Sequence, residues 1–180
     1  MSNCLLNQNI LKKDVCGYSL NKVVDIYLAN YSEITPVTSG NEVTAITMVT
    51  GSSIYHIEPS RDSASFTDEL QVTDSGAKYR THTVNFTIDS GAYDKNLAEV
   101  IDDLSLGRYT AVCKLASKDE RYIMLGASAP LEATVVTLSG AASASEANGI
   151  QVTLVADIAE VALPLSSAAV TSLLANVASE

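Results

Sequence analysis

Residues 79–88 read YRTHTVNFTI, and this stretch decides the fold. Its side chains fall into two alternating sets: Thr81, Thr83, Asn85 and Thr87 in one, and Val84, Phe86 and Ile88 in the other. Alternation with a period of two, in β-branched and aromatic residues, predicts a β-strand with one face against a core. The opposite, hydroxyl-rich face is typical of a solvent-exposed surface or of the wall of a hydrated channel.

Similar runs on both sides of this strand predict a chain that is mainly β. The predicted strands cover residues 22–28, 43–49, 53–58, 109–115, 121–125, 132–138 and 150–156. Gly51 and Ser52 predict a hairpin between the second and third of these runs, because short glycine-containing connections close hairpins. The charged turn at 117–120 predicts another hairpin.

One internal helix is predicted at about 94–106. Leu97, Val100, Ile101 and Leu104 have the spacing of one helical face, so we expect all four to face the sheet. Asp94 is placed to cap the first turn, and Gly107 lies just after the last.

The predicted fold is a β-sandwich or partly closed barrel with one packed helix. Residues 1–21 form an N-terminal arm, 22–164 a single β-rich domain and 165–180 a C-terminal helical tail. Residues 59–78 are interpreted as a long loop, which we expect to be dispensable for the fold and to dock on a neighbouring subunit. Connections of that length usually have a function or are ordered by a partner.

The composition excludes several classes of protein. Eleven basic against 21 acidic residues give a formal charge of -10, which disfavours a surface that neutralises phosphates. Three cysteines without paired spacing, Cys4, Cys16 and Cys113, fit neither a disulfide framework nor a zinc site. The sequence shows no export signal and no apolar run near the roughly 20 residues of a membrane span, so we expect assembly in a reducing cytoplasm and no membrane.

No pattern predicts catalysis. His56 and His82, the two histidines, lie in predicted strands without a cysteine or carboxylate at ligand spacing, so we expect half-exposed structural side chains. The sequence has no nucleophile elbow, phosphate loop or dinucleotide fingerprint. We therefore predict no enzyme, no catalytic or metal site and no cofactor.

The order of elements resembles that of the tail tube proteins of tailed bacteriophages. The matching features are the strands up to Ile88, the helix at 94–106, the segment 59–78, both terminal arms and the closing stretch 125–157. The resemblance implies a homo-oligomer of hexameric rings, stacked into a tube with an acidic lumen through which DNA passes as weakly contacted cargo. It also implies contacts with other virion proteins, and a virion location after assembly in the bacterial host cytoplasm.

Apolar residues in the two arms and the long segment are the predicted subunit interface. They are Leu5, Leu6, Ile10, Phe66, Leu70, Val72, Leu173 and Leu174. Two alternatives remain: a head–tail joining ring or capsid accessory protein, and a monomeric receptor- or carbohydrate-binding β-sandwich. A binding module of the second kind should show an exposed aromatic cluster, whereas the chain has no tryptophan and 6% aromatic residues.

Overall fold

A computed structural model describes residues 22–89, 94–117, 120–139 and 149–178. Their strands are β1 (Val23–Asn30), β2 (Ile34–Ser39), β3 (Glu42–Met48), β4 (Tyr55–Ile57), β5 (Ser65–Val72), β6 (Lys78–Ile88), β7 (Arg108–Leu115), β8 (Arg121–Leu125), β9 (Leu131–Ser139), β10 (Gly149–Ile158) and β11 (Leu163–Pro164). The helices are α1 (Lys95–Leu106) and α2 (Ser167–Ala175). The prediction of a mainly β protein with a packed internal helix is confirmed.

Nine strands form one antiparallel sheet that folds into two halves. One half has the order β4-β1-β7-β8-β11 and the other β9-β10-β6-β5. They join where β7 pairs briefly with β9, through Tyr109 and Leu131. Buried residues from both halves, including Leu28, Cys113 and Phe86, form one cluster, which we call the main core. The architecture is sandwich-like and the sheet does not close into a barrel.

A second core lies on the other face of β1, β7 and β8. Here Tyr27, Val112 and Met124 contact Val43 from the β2–β3 hairpin and Leu173 from α2. Strands β1 and β7 are therefore covered on both sides. The predicted C-terminal helical tail is a helix, and it packs against β3 within the same chain.

Helix α1 matches its prediction except on one side chain. The Asp94 carboxylate accepts a hydrogen bond from the Leu97 backbone N–H at 2.8 Å, which caps the first turn. Leu97, Ile101 and Leu104 contact the main core as expected. Val100 does not, since it is 49% exposed and is not among the side chains packed against that core.

Two predicted connections are wrong. The segment 59–78 is not a loop, since β5 occupies Ser65–Val72 and pairs with β6 through backbone hydrogen bonds along its length. Gly51 and Ser52 do not close a hairpin, because β3 pairs with β2 while β4 pairs with β1. The hairpin between β7 and β8 is confirmed.

Candidate functional site

The outward side of the β9-β10-β6-β5 half presents a nearly uncharged polar surface. Residues opposite each other on paired antiparallel strands share one face of a sheet, so the strand register defines this surface. We call it the polar face; it consists of Ser65, Thr67, Glu69, Thr81, Thr83, Asn85, Thr87, Glu132, Val135, Thr137, Gln151, Thr153, Val155 and Asp157. The alternate residues of β6 and β10, such as Val84 and Leu154, are buried in the main core.

The chemistry of the polar face is that of hydroxyl and amide groups. The Thr81 hydroxyl donates to Asp157 Oδ1 at 2.8 Å, and the Thr153 hydroxyl donates to Asn85 Oδ1 at 2.8 Å. The charged members are all acidic, and the nearby Arg108 on β7 is paired with the carboxylate of Glu132 at 2.9 Å. A surface of this kind attracts water, and the cationic group at its border, Arg108, is already paired with Glu132.

Sequence alone indicated only part of the polar face. The alternation in residues 79–88 predicted the part of the polar face that β6 contributes. The polar side chains of β5, β9 and β10 belong to the polar face only because these strands pair in one sheet with β6. The register sets Ser65 beside Asn85 and Asn85 beside Thr153, although these residues are far apart in the sequence. Pairing between distant strands is the step that local patterns do not specify.

The end of the β5–β6 hairpin carries uncovered apolar side chains. Leu70 and Val72 have the same strand parity as Phe66, whose side chain packs on the main core. The two later residues are nevertheless 54% and 58% exposed. We call residues 70–80 the hairpin tip. Leu70 and Val72 lie on the side of the hairpin that faces the core at Phe66. At the hairpin tip, however, the described residues do not cover this side.

His82 is fully buried, which corrects the prediction of a half-exposed histidine. The backbone N–H of Gly126 donates to its Nδ1 at 3.4 Å, so the ring proton belongs on Nε2. Nε2 has no hydrogen-bond partner among the described residues and lies 3.5 Å from Asp68 Oδ1. The neighbouring strand β5 therefore places the Asp68 carboxylate close to His82, although the sequence spacing did not predict a carboxylate there.

Asp68 connects three parts of the chain. Arg80 Nε donates to its Oδ1 at 2.5 Å, and the backbone N–H of Ala162 donates to its Oδ2 at 2.9 Å. Burial by itself would raise the pKa of Asp68, but these hydrogen bonds and the charges of His82 and Arg80 lower it overall. Burial lowers the pKa of His82 from its usual 6.5, although the charges of Asp68 and Glu160 oppose this effect. The histidine is therefore neutral at pH 7.

We expect the folding stability to fall as the pH decreases from about 6.5 towards the lowered pKa of His82. The unfolded chain binds a proton in this window and the folded chain does not, so acid favours unfolding. Protonation would also place an N–H of His82 opposite the N–H of Gly126. Chemical denaturation at pH 7.5 and pH 5.5 measures the loss.

His82→Asn is the matched variant for that measurement. Asparagine can present an acceptor to Gly126 but does not titrate near pH 6. If the variant loses as much stability as the wild type between these two pH values, His82 is not the responsible group.

The predicted interface residues lie in different environments. Leu5, Leu6 and Ile10 are outside the described residues, while Leu70 and Val72 are exposed on the hairpin tip. Phe66 is partly buried against the main core. In α2, Leu174 is 47% exposed, whereas Leu173 is fully buried in the second core and is not available to another copy.

Within the described residues, no group of three or more His, Cys, Asp or Glu side chains could hold a metal ion. His56 stacks on Tyr27 with ring centroids 4.9 Å apart, and its Nε2 lies 3.2 Å from Asp25 Oδ1. Burial raises the pKa of the Cys113 thiol to about 12, so this cysteine is not a reactive thiolate at neutral pH.

The chain matches no protein-family model, no curated protein and no solved structure. In the parts of the chain that the structure describes, neither helix is long and apolar enough to cross a bilayer. Its function therefore has to be argued from the polar face, the hairpin tip and the charge distribution.

Proposed function

We propose that this chain is a self-assembling structural protein of a bacteriophage virion, and specifically a tail tube subunit. In this proposal, copies form stacked rings, hexameric by the resemblance, and the polar face lines the lumen. The protein acts mechanically, as a conduit for the genome, and needs no catalytic group or cofactor.

The polar face is the observation that carries the proposal. A DNA duplex is held on a protein mainly by cationic side chains that displace its counterions. The charged residues of the polar face are Glu69, Glu132 and Asp157, and strand pairing places Arg108 at its border, opposite Glu132, where it is ion paired with that carboxylate. A lumen with such a wall would stay hydrated and weakly repel phosphates, so DNA would slide through it without long pauses.

The hairpin tip and strand β5 support self-assembly. Strand β5 pairs only with β6 among the described strands, so its outer backbone edge is open. Natural proteins usually protect such edges, since an open edge is a template for pairing with another chain. An open edge ending in the exposed Leu70 and Val72 is better suited to a subunit contact than to permanent exposure.

A monomeric receptor- or carbohydrate-binding module is less well supported. Among the large apolar side chains exposed in the described structure, Tyr55 is the one aromatic residue. An isolated exposed tyrosine does not form the aromatic platform expected of a sugar-binding surface. A joining ring or capsid accessory protein would share the self-assembly but would be expected to hold DNA or another virion protein more tightly.

Size-exclusion chromatography with light scattering, followed by negative-stain electron microscopy of the full chain, tests the proposal. We expect concentration-dependent rings, and tubes at high protein concentration. A protein that remains a 19.0 kDa monomer at high concentration and moderate salt would contradict both the tube and the ring assignments.

Lysines placed on the polar face should convert a passive wall into one that binds DNA. The wild-type assembly should bind a short duplex weakly at physiological salt. Thr83→Lys with Asn85→Lys should strengthen binding and steepen its salt dependence, by a slope of about 0.9 for each new phosphate contact. Fluorescence anisotropy at several salt concentrations measures both quantities.

Thr38→Lys with Ser39→Lys is the control pair, because both residues are exposed on β2, outside the polar face. In assembled tubes, we expect this pair to leave binding inside the lumen unchanged. Equal DNA binding by the two double variants would argue that the polar face does not line the conduit.

A further inference from the structure

One end of the sandwich is open between the two halves of the sheet, and a cavity of about 460 Å³ lies there. Val23, Leu115 and Ile123 form one wall, from β1, β7 and β8. Ala64 and Phe66, at the start of β5, form the other. All five side chains belong to the main core or pack against it. We call this cavity the end gap; the described residues leave the main core uncovered there.

An arginine lies on the core-facing side of the sheet at the end gap. Val23 pairs with Leu115, and Leu115 pairs with Arg121, so these three side chains share one face. Because Leu115 is buried in the main core, that face is the inner one. Among the residues that the structure describes, the Arg121 guanidinium has no ion-pair partner. A carboxylate beside it would form a charge-assisted hydrogen bond at the rim of an apolar opening.

The other cation of the end gap already has a carboxylate. Lys22 Nζ lies 2.7 Å from Asp62 Oδ1, and this pair joins the start of β1 to the segment before β5 across the mouth of the gap. Arg121 is therefore the cation of the gap that still lacks a partner. An occupant that completes the gap combines apolar side chains with one carboxylate.

The chain immediately before Lys22 has both properties. Residues 14–21 read DVCGYSLN and include the apolar or aromatic side chains of Val15, Tyr18 and Leu20. Asp14 is the one acidic residue in the sequence of 1–21. The composition of this segment therefore matches the apolar walls and the single unpaired arginine.

The chain connectivity favours the same molecule as the source of this segment. Lys22 lines the end gap, and its carbonyl accepts a hydrogen bond from the Ala116 N–H at 2.8 Å, so the segment starts at the opening. Strands β1 and β8 lie on either side of β7, which places them about 10 Å apart. The chain from Asp14 to Lys22 can span up to about 28 Å, which is enough to bring its carboxylate to Arg121. A tethered segment also has a high effective concentration at the gap.

We propose that residues 14–21 close the end gap of their own chain. Tyr18 and Leu20 cover its apolar walls, and the Asp14 carboxylate pairs with Arg121. Residues 14–21 then belong to the β-rich domain, and its N-terminal boundary moves from residue 22 to residue 14. The contact forms within a single chain and does not depend on the proposed assembly.

Disulfide trapping in the full chain tests this contact. Ala64→Cys places a thiol in the wall of the end gap, and Cys16 supplies a second thiol from the segment. A Cys4→Ser background leaves Cys16 as the one cysteine before β1, and Cys113 is fully buried. Oxidised glutathione should link Cys16 to the introduced thiol within one chain, and peptide mapping by mass spectrometry identifies the bond.

Ala45→Cys in the same background is the matched control, because Ala45 is also a partly buried alanine but lies on β3, outside the end gap. We expect at least several-fold less product within the chain from this control. Equal yields from the two variants, or no product from Ala64→Cys, would overturn the proposal. A product linked between chains would overturn it in favour of the same segment from a second copy.

Charge exchange tests the ion pair separately. Asp14→Arg and Arg121→Asp should each slow the trapping of Cys16 by the thiol at position 64 at least several-fold. The two changes together should restore the rate, since the charges are again opposite. Failure of the combined variant to recover would overturn the pairing of Asp14 with Arg121.

The dye anilinonaphthalene sulfonate reports whether the apolar walls are covered, because it combines an apolar ring system with one negative charge. Tyr18→Ser with Leu20→Ser should raise its fluorescence several-fold, whereas the control Ser19→Asn with Asn21→Ser should match the wild type. No rise in the first variant would overturn the role of Tyr18 and Leu20. Strong fluorescence with the wild type that Arg121→Gln removes would overturn closure by the segment, since the gap would then be open to small amphipathic anions.

Discussion

Leu70→Glu with Val72→Glu is expected to abolish assembly while leaving the monomer folded. Both side chains are more than half exposed, and the new carboxylates would stand opposite Arg80 and Lys78 across the hairpin. Such cross-strand pairs are tolerated or slightly stabilising in an isolated sheet. At a subunit contact, however, two desolvated carboxylates should weaken association by about 100-fold or more.

Sedimentation velocity and electron microscopy measure this loss of assembly, and thermal unfolding checks the monomer. Val37→Glu with Val49→Glu is the control, since these valines are similarly exposed, by 48% and 56%, but lie away from the hairpin tip. The control should still assemble. Normal rings or tubes from the Leu70 and Val72 variant would show that the hairpin tip is not a subunit contact.

The structure also reverses the expectation that the segment 59–78 is a loop dispensable for the fold. Deletion of residues 63–74 would test that expectation. The deletion would in fact remove strand β5, the Phe66 side chain on the main core, and the Asp68 carboxylate beside Arg80 and His82. We therefore expect it to destabilise the monomer, so substitutions on the hairpin tip are the better test of assembly.

Leu173→Asp is expected to cost about 4 kcal/mol or more of folding free energy, whereas Leu174→Asp should cost about 0.5 kcal/mol or less. Leu173 is fully buried between α2 and the second core, so a carboxylate there would lose its water without gaining a partner. Leu174, the next residue, is 47% exposed.

Denaturant unfolding of the two variants makes the comparison within one helix. The helix is also held by hydrogen bonds: the Ser172 hydroxyl donates to the Ile46 carbonyl at 2.8 Å, and Ile54 exchanges backbone hydrogen bonds with Asn176 and Ala178. Equal stability of the two variants would indicate that α2 behaves as a detachable arm.

Several elements were determined by sequence alone because their signals are local. The alternation in 79–88 specifies a strand with one apolar face whatever its neighbours are. Asp94, the spaced apolar residues and Gly107 likewise specify helix α1, since capping and helical periodicity involve residues within one or two turns. The mainly β character, the internal helix and the β7–β8 hairpin follow from signals of this kind.

Strand β5 was missed because its sequence, SFTDELQV, contains few apolar residues and places Asp68 on the side that faces the sandwich. In the sequence, a carboxylate at a core-facing position argues against predicting a strand, because its hydrogen-bond partners are not visible there. Arg80, His82 and the Ala162 backbone supply them from β6 and from the segment before β11. Only tertiary structure brings those groups together.

The second core was missed for a related reason. The sequence of β7 does not alternate cleanly between apolar and polar residues, and this lack of alternation is typical of a strand covered on both faces. The sequence does not indicate which elements cover each face. The β2–β3 hairpin and α2 cover one face, and the other half of the sheet covers the other. Sequence by itself determined the period of each segment and the charge of the chain. Tertiary structure decided which faces meet, because each apolar face can pack against any other until chain connectivity and strand register select its partner.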